Sequence, residues 1–212
     1  VILHLARHGE TEYNSAGLGL GRADIPLSAL GLLQAQALGE RLAGGRVDRV
    51  ISSPLGRATA TAAAVAAAHG LPVEQLPALI EMDVGETEGL AFIEMRQRFP
   101  DFMRAWAAAQ SETVRMPGGE SIADVAARAH PLLAELRESA PESVVVAVSH
   151  NFVIKVALCQ LLGAGIGAFR AVQVDLGSVS TVIIRGPRLN VVALNDTCHA
   201  AALSLDRTGG RL

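Results

Sequence analysis

Arg7-His8-Gly9-Glu10-Thr11, with Asn14 three residues further on, is the first cluster in this chain whose side chains could do chemistry. A guanidinium and an imidazole sit side by side directly after the apolar run Ile2–Ala6, so both leave the carboxyl end of an expected strand. Gly9 is expected to let the backbone turn sharply beside the imidazole. A second cluster, Ser52-Ser53-Pro54-Leu55-Gly56-Arg57, follows another apolar run and opens a helix, with Arg57 in its first turn. Helix N-termini attract anions and repel cations, so an arginine kept there calls for an anion to pair with. The third cluster is Val148-Ser149-His150-Asn151, at the end of the strongest strand-like run and the start of a further helix. The fourth is Glu81, in Glu81-Met82-Asp83-Val84-Gly85, which also follows a strand-like run. Alone, each has an ordinary reading: a polar strand end, a solvated arginine, a capping or packing histidine, an exposed acidic loop.

Together they place two histidines, two arginines and one acid where strands end, and one pocket would gather them. That set suits phosphoryl transfer through a histidine nucleophile. In this reading His8 attacks phosphorus, while Arg7, Arg57 and His150 neutralise the equatorial oxygens. Glu81 gives a proton to the leaving oxygen and later takes one from water. The two arginines are expected to hold the His8 pKa down, because nearby positive charge disfavours imidazolium. The residues leave the nucleophile open between two histidines; His8 is favoured by the charge before it and the glycine after it. A metallohydrolase using His8, His150 and acids is a rival reading, which the ligand spacing is not expected to support; no metal or cofactor is expected. A non-catalytic phospholigand binder would keep the arginines without needing His8 and Glu81 together.

The elements that must position these groups follow from patterning. The 212 residues are half apolar and 18% charged, enough for one substantial core. A net charge of −3, with one lysine (Lys155) among 18 basic residues, excludes the usual strongly basic nucleic-acid binder. No apolar run is long enough to cross a membrane, and Val1–Ala6 reads as a strand rather than a leader, so a cytoplasmic protein is expected. Cys159 and Cys198 form no metal or disulfide framework, and Cys159 is expected in the core. Strand-like runs appear at Ile2–Ala6, Arg49–Ile51, Val144–Val148, Val172–Leu176, Thr181–Ile184 and Asn190–Leu194. Helical patterns cover Ser28–Ala43 (apolar at Leu32, Ala35, Leu38 and Leu42), Pro54–His69, Ser121–Ser139 and Asn151–Leu162. The alternation predicts an α/β fold: a mostly parallel sheet covered on both faces, with antiparallel pairing at one edge. Residues 1–212 read as one domain, with an excursion at about 81–120 that carries short helices near Leu90–Phe99 and Phe102–Gln110.

These residues resemble the histidine phosphatase superfamily, in its phosphoglycerate mutase-like branch. The resemblance is carried by Arg7-His8-Gly9-Glu10-Thr11, Ser52-Ser53-Pro54 with Arg57, Glu81, Pro117-Gly118-Gly119-Glu120-Ser121 and Ser149-His150, in that order, and runs from residue 3 to about 199. It implies a three-layer α/β/α sandwich and a phosphohistidine on His8, with Arg7, Asn14, Arg57 and His150 around the phosphate. It also implies Glu81 as proton donor, Gly21 and the Asn151 backbone near the phosphate, and a possible homodimer. Two positions depart from the pattern: Leu20, where many members are polar, and Thr87-Glu88-Gly89, where many read Trp-Glu-Gly. Only 40 positions separate Glu81 from Ser121, short for a mutase's basic insertion. The expected activity is therefore hydrolysis of a small phosphomonoester, with a mutase-type phosphotransferase as the alternative. Phosphoserine, phosphosugars, phosphoglycerate derivatives and a cobalamin-loop phosphate are all compatible substrates.

Overall fold

A computed structural model describes residues 1–138 and 142–205. In chain order the elements are β1 (Ile2–Arg7), α1 (Glu12–Ser15), α2 (Ala29–Ala43), β2 (Arg49–Ser52), α3 (Gly56–His69) and β3 (Val73–Gln75). They continue with α4 (Phe92–Arg98), α5 (Pro100–Ala107), α6 (Ile122–Glu138), β4 (Val144–Ser149), α7 (Asn151–Leu162), β5 (Val179–Arg185), β6 (Arg188–Asp196) and α8 (Ala201–Leu205). Ser139, the expected end of α6, and residues 206–212 of the expected domain lie outside the described residues.

The six strands form one sheet in the order β3-β2-β4-β1-β5-β6. The first four are mutually parallel, and the antiparallel pairings β1–β5 and β5–β6 lie toward the other edge, as the pattern predicts. Alternation along the strands feeds two cores. Leu3, Leu5, Val145 and Ala147 face α6 and α7, whereas Ala6, Val50, Val146 and Val148 face α2 and α3. β4 is buried along its whole length because strands and helices flank it on every side. Chain leaving β1 goes to the α2–α3 face, and chain leaving β4 goes to the α6–α7 face. Adjacent parallel strands that send their chains to opposite faces open a crevice at their carboxyl ends, the usual ligand site of such sheets.

Local signals set most boundaries. The Ser28 hydroxyl accepts from Gly31 N at 3.1 Å, and Ser121 and Asp124 cap α6 reciprocally. Gly70 and Gly163 end α3 and α7 with φ of 64° and 67°, conformations that favour glycine. Four expectations are corrected. Helix α3 starts at Gly56 rather than Pro54, and its free N-terminus is capped from a distance by Asp24, whose Oδ1 accepts from Gly56 N at 2.7 Å. On α2, Ala35 and Leu38 are buried but Leu32 is 57% exposed. Val172–Leu176 is not a strand, because side chains take its backbone groups before a ladder can: Arg7 donates to Val174 O, and Asn195 Oδ1 accepts from Asp175 N. The short β3 was not expected, since only Val73 of its three residues is even half-buried. Cys159 is fully buried, as expected.

Candidate active site

Parallel pairing of β1 with β4 sets Arg7 opposite Ser149, so His8 and His150 emerge side by side from the centre of the sheet. Their rings lie 5.0 Å apart between centroids. His8 is buried, and its Nδ1 is 2.7 Å from the carbonyl oxygen of Gly9. A carbonyl can only accept, so Nδ1 must carry the proton and Nε2 must present a lone pair. That lone pair accepts a long hydrogen bond, 3.3 Å, from Arg57 Nε. The His8 pKa is held well below the ordinary histidine value. Burial is the largest cause, ahead of the charges of Arg7 and Arg57, so the arginines play a smaller part than the sequence suggests. Gly9 has an ordinary backbone conformation; it is needed because a Cβ there would meet the Gly31 carbonyl at 2.3 Å. His4, four residues before His8, is a metal-ligand spacing on a helix but not on a strand, and its Nδ1 pairs with Thr181 instead.

Arg57 is fully buried and held as a fork: its terminal nitrogens donate to Ala23 O at 2.7 Å and Gly21 O at 2.6 Å. This turns its Nε edge toward His8. Arg7 donates to Val174 O at 2.7 Å, and its buried Nε has no hydrogen-bond partner. Its pKa falls to about 10, with burial the largest cause, and the group remains charged. His150 Nε2 lies 2.8 Å from the Ser53 hydroxyl, while its Nδ1 is buried without a partner. Burial, then the neighbouring His8, Arg57 and Arg7, holds its pKa well down. Unpaired buried polar groups cost stability, so Arg7 Nε and His150 Nδ1, on residues flanking His8, fit an anion bound there.

Glu81 follows a single-turn helix, Pro77–Leu79, not a strand. Ser149 Oγ, at the end of β4, donates to Leu79 O and fixes that turn beside the crevice. Arg128 donates to Ala78 O and Glu81 O from the other side, and Glu120 accepts both from Arg128 Nε and from Asp83 N. The Glu81 carboxyl accepts from Met82 N at 2.8 Å and from Phe152 N at 3.3 Å. Burial nevertheless raises its pKa above the usual value, outweighing those bonds and the two arginines.

Thr11 caps α1 and Asn14 completes the capping box, its Oδ1 accepting from the backbone and hydroxyl of Thr11, which leaves Nδ2 as the donor. Asn151 opens α7 directly after His150. Gly21 sits against Arg57, which donates to its carbonyl, and its N–H is already engaged. It donates to Glu88 Oε1 at 2.7 Å, and Arg22 N and Ala23 N donate to Glu88 Oε2. One carboxylate thus fixes the loop whose carbonyls hold Arg57, a role that residue order alone could not show. Glu88→Gln should keep the fold but weaken vanadate inhibition about tenfold, the worth of losing charge-assisted hydrogen bonds, as inhibition curves would report.

The buried imidazoles also predict a pH effect. Both His8 and His150 have folded pKa values below 6.5, so under pH 6.5 the unfolded chain binds protons that the folded chain refuses. Stability is therefore lost as pH falls from 6.5 toward the folded values. Glu81 acts in the opposite sense, its contribution fading as pH rises through its raised value. Thermal unfolding between about pH 5 and 7 should show Tm falling with acid, with a shallower slope in His150→Gln.

The chain is 35% identical over 199 residues, 94% of each chain, to phosphoserine phosphatase 1 of Hydrogenobacter thermophilus. Among solved structures it superposes on a putative alpha-ribazole-5'-P phosphatase of Escherichia coli with a TM-score of 0.86 and 32% identity, covering 93% of this chain and 97% of the other. A mycobacterial glucosyl-3-phosphoglycerate phosphatase complexed with VO3 gives a TM-score of 0.84 and 33% identity, covering 92% and 98%. An α/β/α sandwich shared with these solved structures agrees with the family model that matches residues 3–197: the chain belongs to branch 1 of the histidine phosphatase superfamily.

Proposed function

We propose that this protein hydrolyses small phosphomonoesters through a phosphohistidine on His8. The observation that carries the reading is the His8 tautomer: Nδ1 is tied to the Gly9 carbonyl, so Nε2 stays unprotonated among cationic donors. On binding, the phosphate takes the Nε–H of Arg57 away from His8 and satisfies Arg7 Nε and His150 Nδ1. Nε2 then attacks phosphorus in line, the P–O bond to the alcohol breaks, and three cationic or polar donors spread the charge of the transferring group. Glu81, kept protonated by burial and by the arriving dianion, gives its proton to the leaving alkoxide. As carboxylate it then takes a proton from the water that attacks phosphohistidine, and inorganic phosphate leaves.

The groups facing the phosphate are guanidinium, imidazole and amide donors where a metallophosphatase would offer carboxylates. The test is p-nitrophenyl phosphate hydrolysis in excess EDTA with and without vanadate, a mimic of the five-coordinate transition state. Turnover that persists in EDTA and falls with vanadate is expected; loss in EDTA restored by Mg²⁺ or Zn²⁺ would refute it. Phosphate appearing on a second acceptor faster than in solution would favour the mutase alternative, and binding without turnover would leave a phospholigand binder.

A further inference from the structure

Beside the phosphate site lies a cavity of 210 Å³ that the chemistry at His8 does not use. Its wall is built from Leu20 next to Gly21, Phe152 on the first turn of α7, and Met95, Phe102, Trp106 and Met116 from the segment after Glu81. One residue links it to the proton donor: Phe152 lines the cavity, and the Phe152 backbone N–H is one of the two that hold the Glu81 carboxyl. No carboxylate, ammonium or guanidinium lines it, and the one hydroxyl, on Thr87, already donates to Val84 O at 2.7 Å. Arg96, Arg104 and Arg170 line a separate, wider cavity that shares Phe92, Met103 and Trp106 with the first but reaches neither Leu20 nor Phe152.

The proton donor marks where the leaving oxygen must sit, so whatever that oxygen carries enters the space next to Glu81. An apolar chamber of about 150 Å³ takes a benzene ring, so this one accommodates an aromatic ring or a short alkyl chain. Methionine side chains adapt to either shape. An amino-acid alcohol would set its ammonium and carboxylate against thioethers and aromatic rings with no partner, which is costly. We infer that this cavity is the leaving-group subsite and that it selects phosphomonoesters of aromatic or short alkyl alcohols over those of charged alcohols such as serine. The inference rests on the phosphatase reading above and sharpens its substrate class.

The test compares kcat/KM for ethyl phosphate, 2-phenylethyl phosphate and O-phosphoserine. The first two have alcohols of similar leaving ability, and serine's ammonium makes its alkoxide the better leaving group, so intrinsic reactivity runs against the expected order. 2-Phenylethyl phosphate should exceed ethyl phosphate by about 10- to 100-fold, the scale of filling an apolar pocket, and phosphoserine should not exceed ethyl phosphate. Met95→Trp, which fills the chamber, should bring the phenylethyl-to-ethyl ratio close to one. A binding measurement needs no variant: 2-phenylethylphosphonate, which is not hydrolysed, should shift the emission of Trp106, the chain's single tryptophan, and methylphosphonate should not. If p-nitrophenyl phosphate is turned over while the ethyl and phenylethyl esters react alike, or phosphoserine leads, the subsite is refuted and the phosphatase reading stands. If none of the esters is hydrolysed, both fall.

Discussion

Replacing His8 with alanine is expected to abolish turnover, a loss on the order of 10⁴- to 10⁶-fold, as when other covalent nucleophiles are removed. The reason lies in the tautomer: within the site only His8 Nε2 combines a lone pair engaged by no more than a long hydrogen bond with a proton fixed on the opposite nitrogen by a carbonyl. His150 is held differently, with Nε2 against the Ser53 hydroxyl and Nδ1 unpaired. A serine hydroxyl can donate to Nε2, and in that tautomer the ring presents Nδ1–H, a donor to phosphate and not an attacking atom; no carbonyl fixes a proton on the opposite nitrogen as it does in His8. Rapid quench with ³²P-labelled substrate should trap a label that acid releases and base does not, as a phosphohistidine behaves. Mass spectrometry of gently handled peptides should place it on His8. His150→Ala should slow labelling yet leave the label where it was. Label on His150, or burst-free turnover surviving in His8→Ala, would overturn the mechanism.

Glu81→Gln should lower kcat for an alkyl phosphate by about 10²- to 10⁴-fold, the usual worth of a positioned general acid. For p-nitrophenyl phosphate the loss should be much smaller in the phosphorylation step, because p-nitrophenolate departs without a proton. Glutamine keeps the volume and one accepting oxygen for the 2.8 Å bond from Met82 N, but its NH2 cannot accept from Phe152 N, so the variant removes the proton together with that longer 3.3 Å bond. The raised pKa of Glu81 also fixes the sign of a pH effect. Below that value the acid is protonated and the leaving group is assisted; as pH rises through it, turnover of poor leaving groups should fall, while p-nitrophenyl phosphate should be affected less. Equal losses for both substrates, in the variant or across pH, would remove Glu81 from this role.

Much of this protein was legible in residue order. Apolar runs that end in Arg7-His8, Ser52-Ser53 and Ser149-His150 announce parallel strands, and parallel strands of one sheet end on one side, so the gathering of His8, Arg57 and His150 follows from local pattern. Helix limits at Ser28, Gly70, Ser121 and Gly163 were equally readable, because capping depends on side chains within a few positions. Tertiary structure decided whatever depends on partners far along the chain. Val172–Leu176 has strand composition, yet Arg7 and Asn195 occupy its backbone. The Gly21 N–H is taken by Glu88, 67 residues away. Residue order does not single out Arg128, and marks Glu120 only as a member of the Pro117–Ser121 motif; the fold joins the two and sets them behind Glu81. The low His8 pKa comes chiefly from burial, a property of the folded interior that adjacency to Arg7 cannot express. Sequence order dictates which groups leave the strand ends; only the packed chain decides which of their hydrogen bonds are already satisfied, and therefore which remain for a substrate.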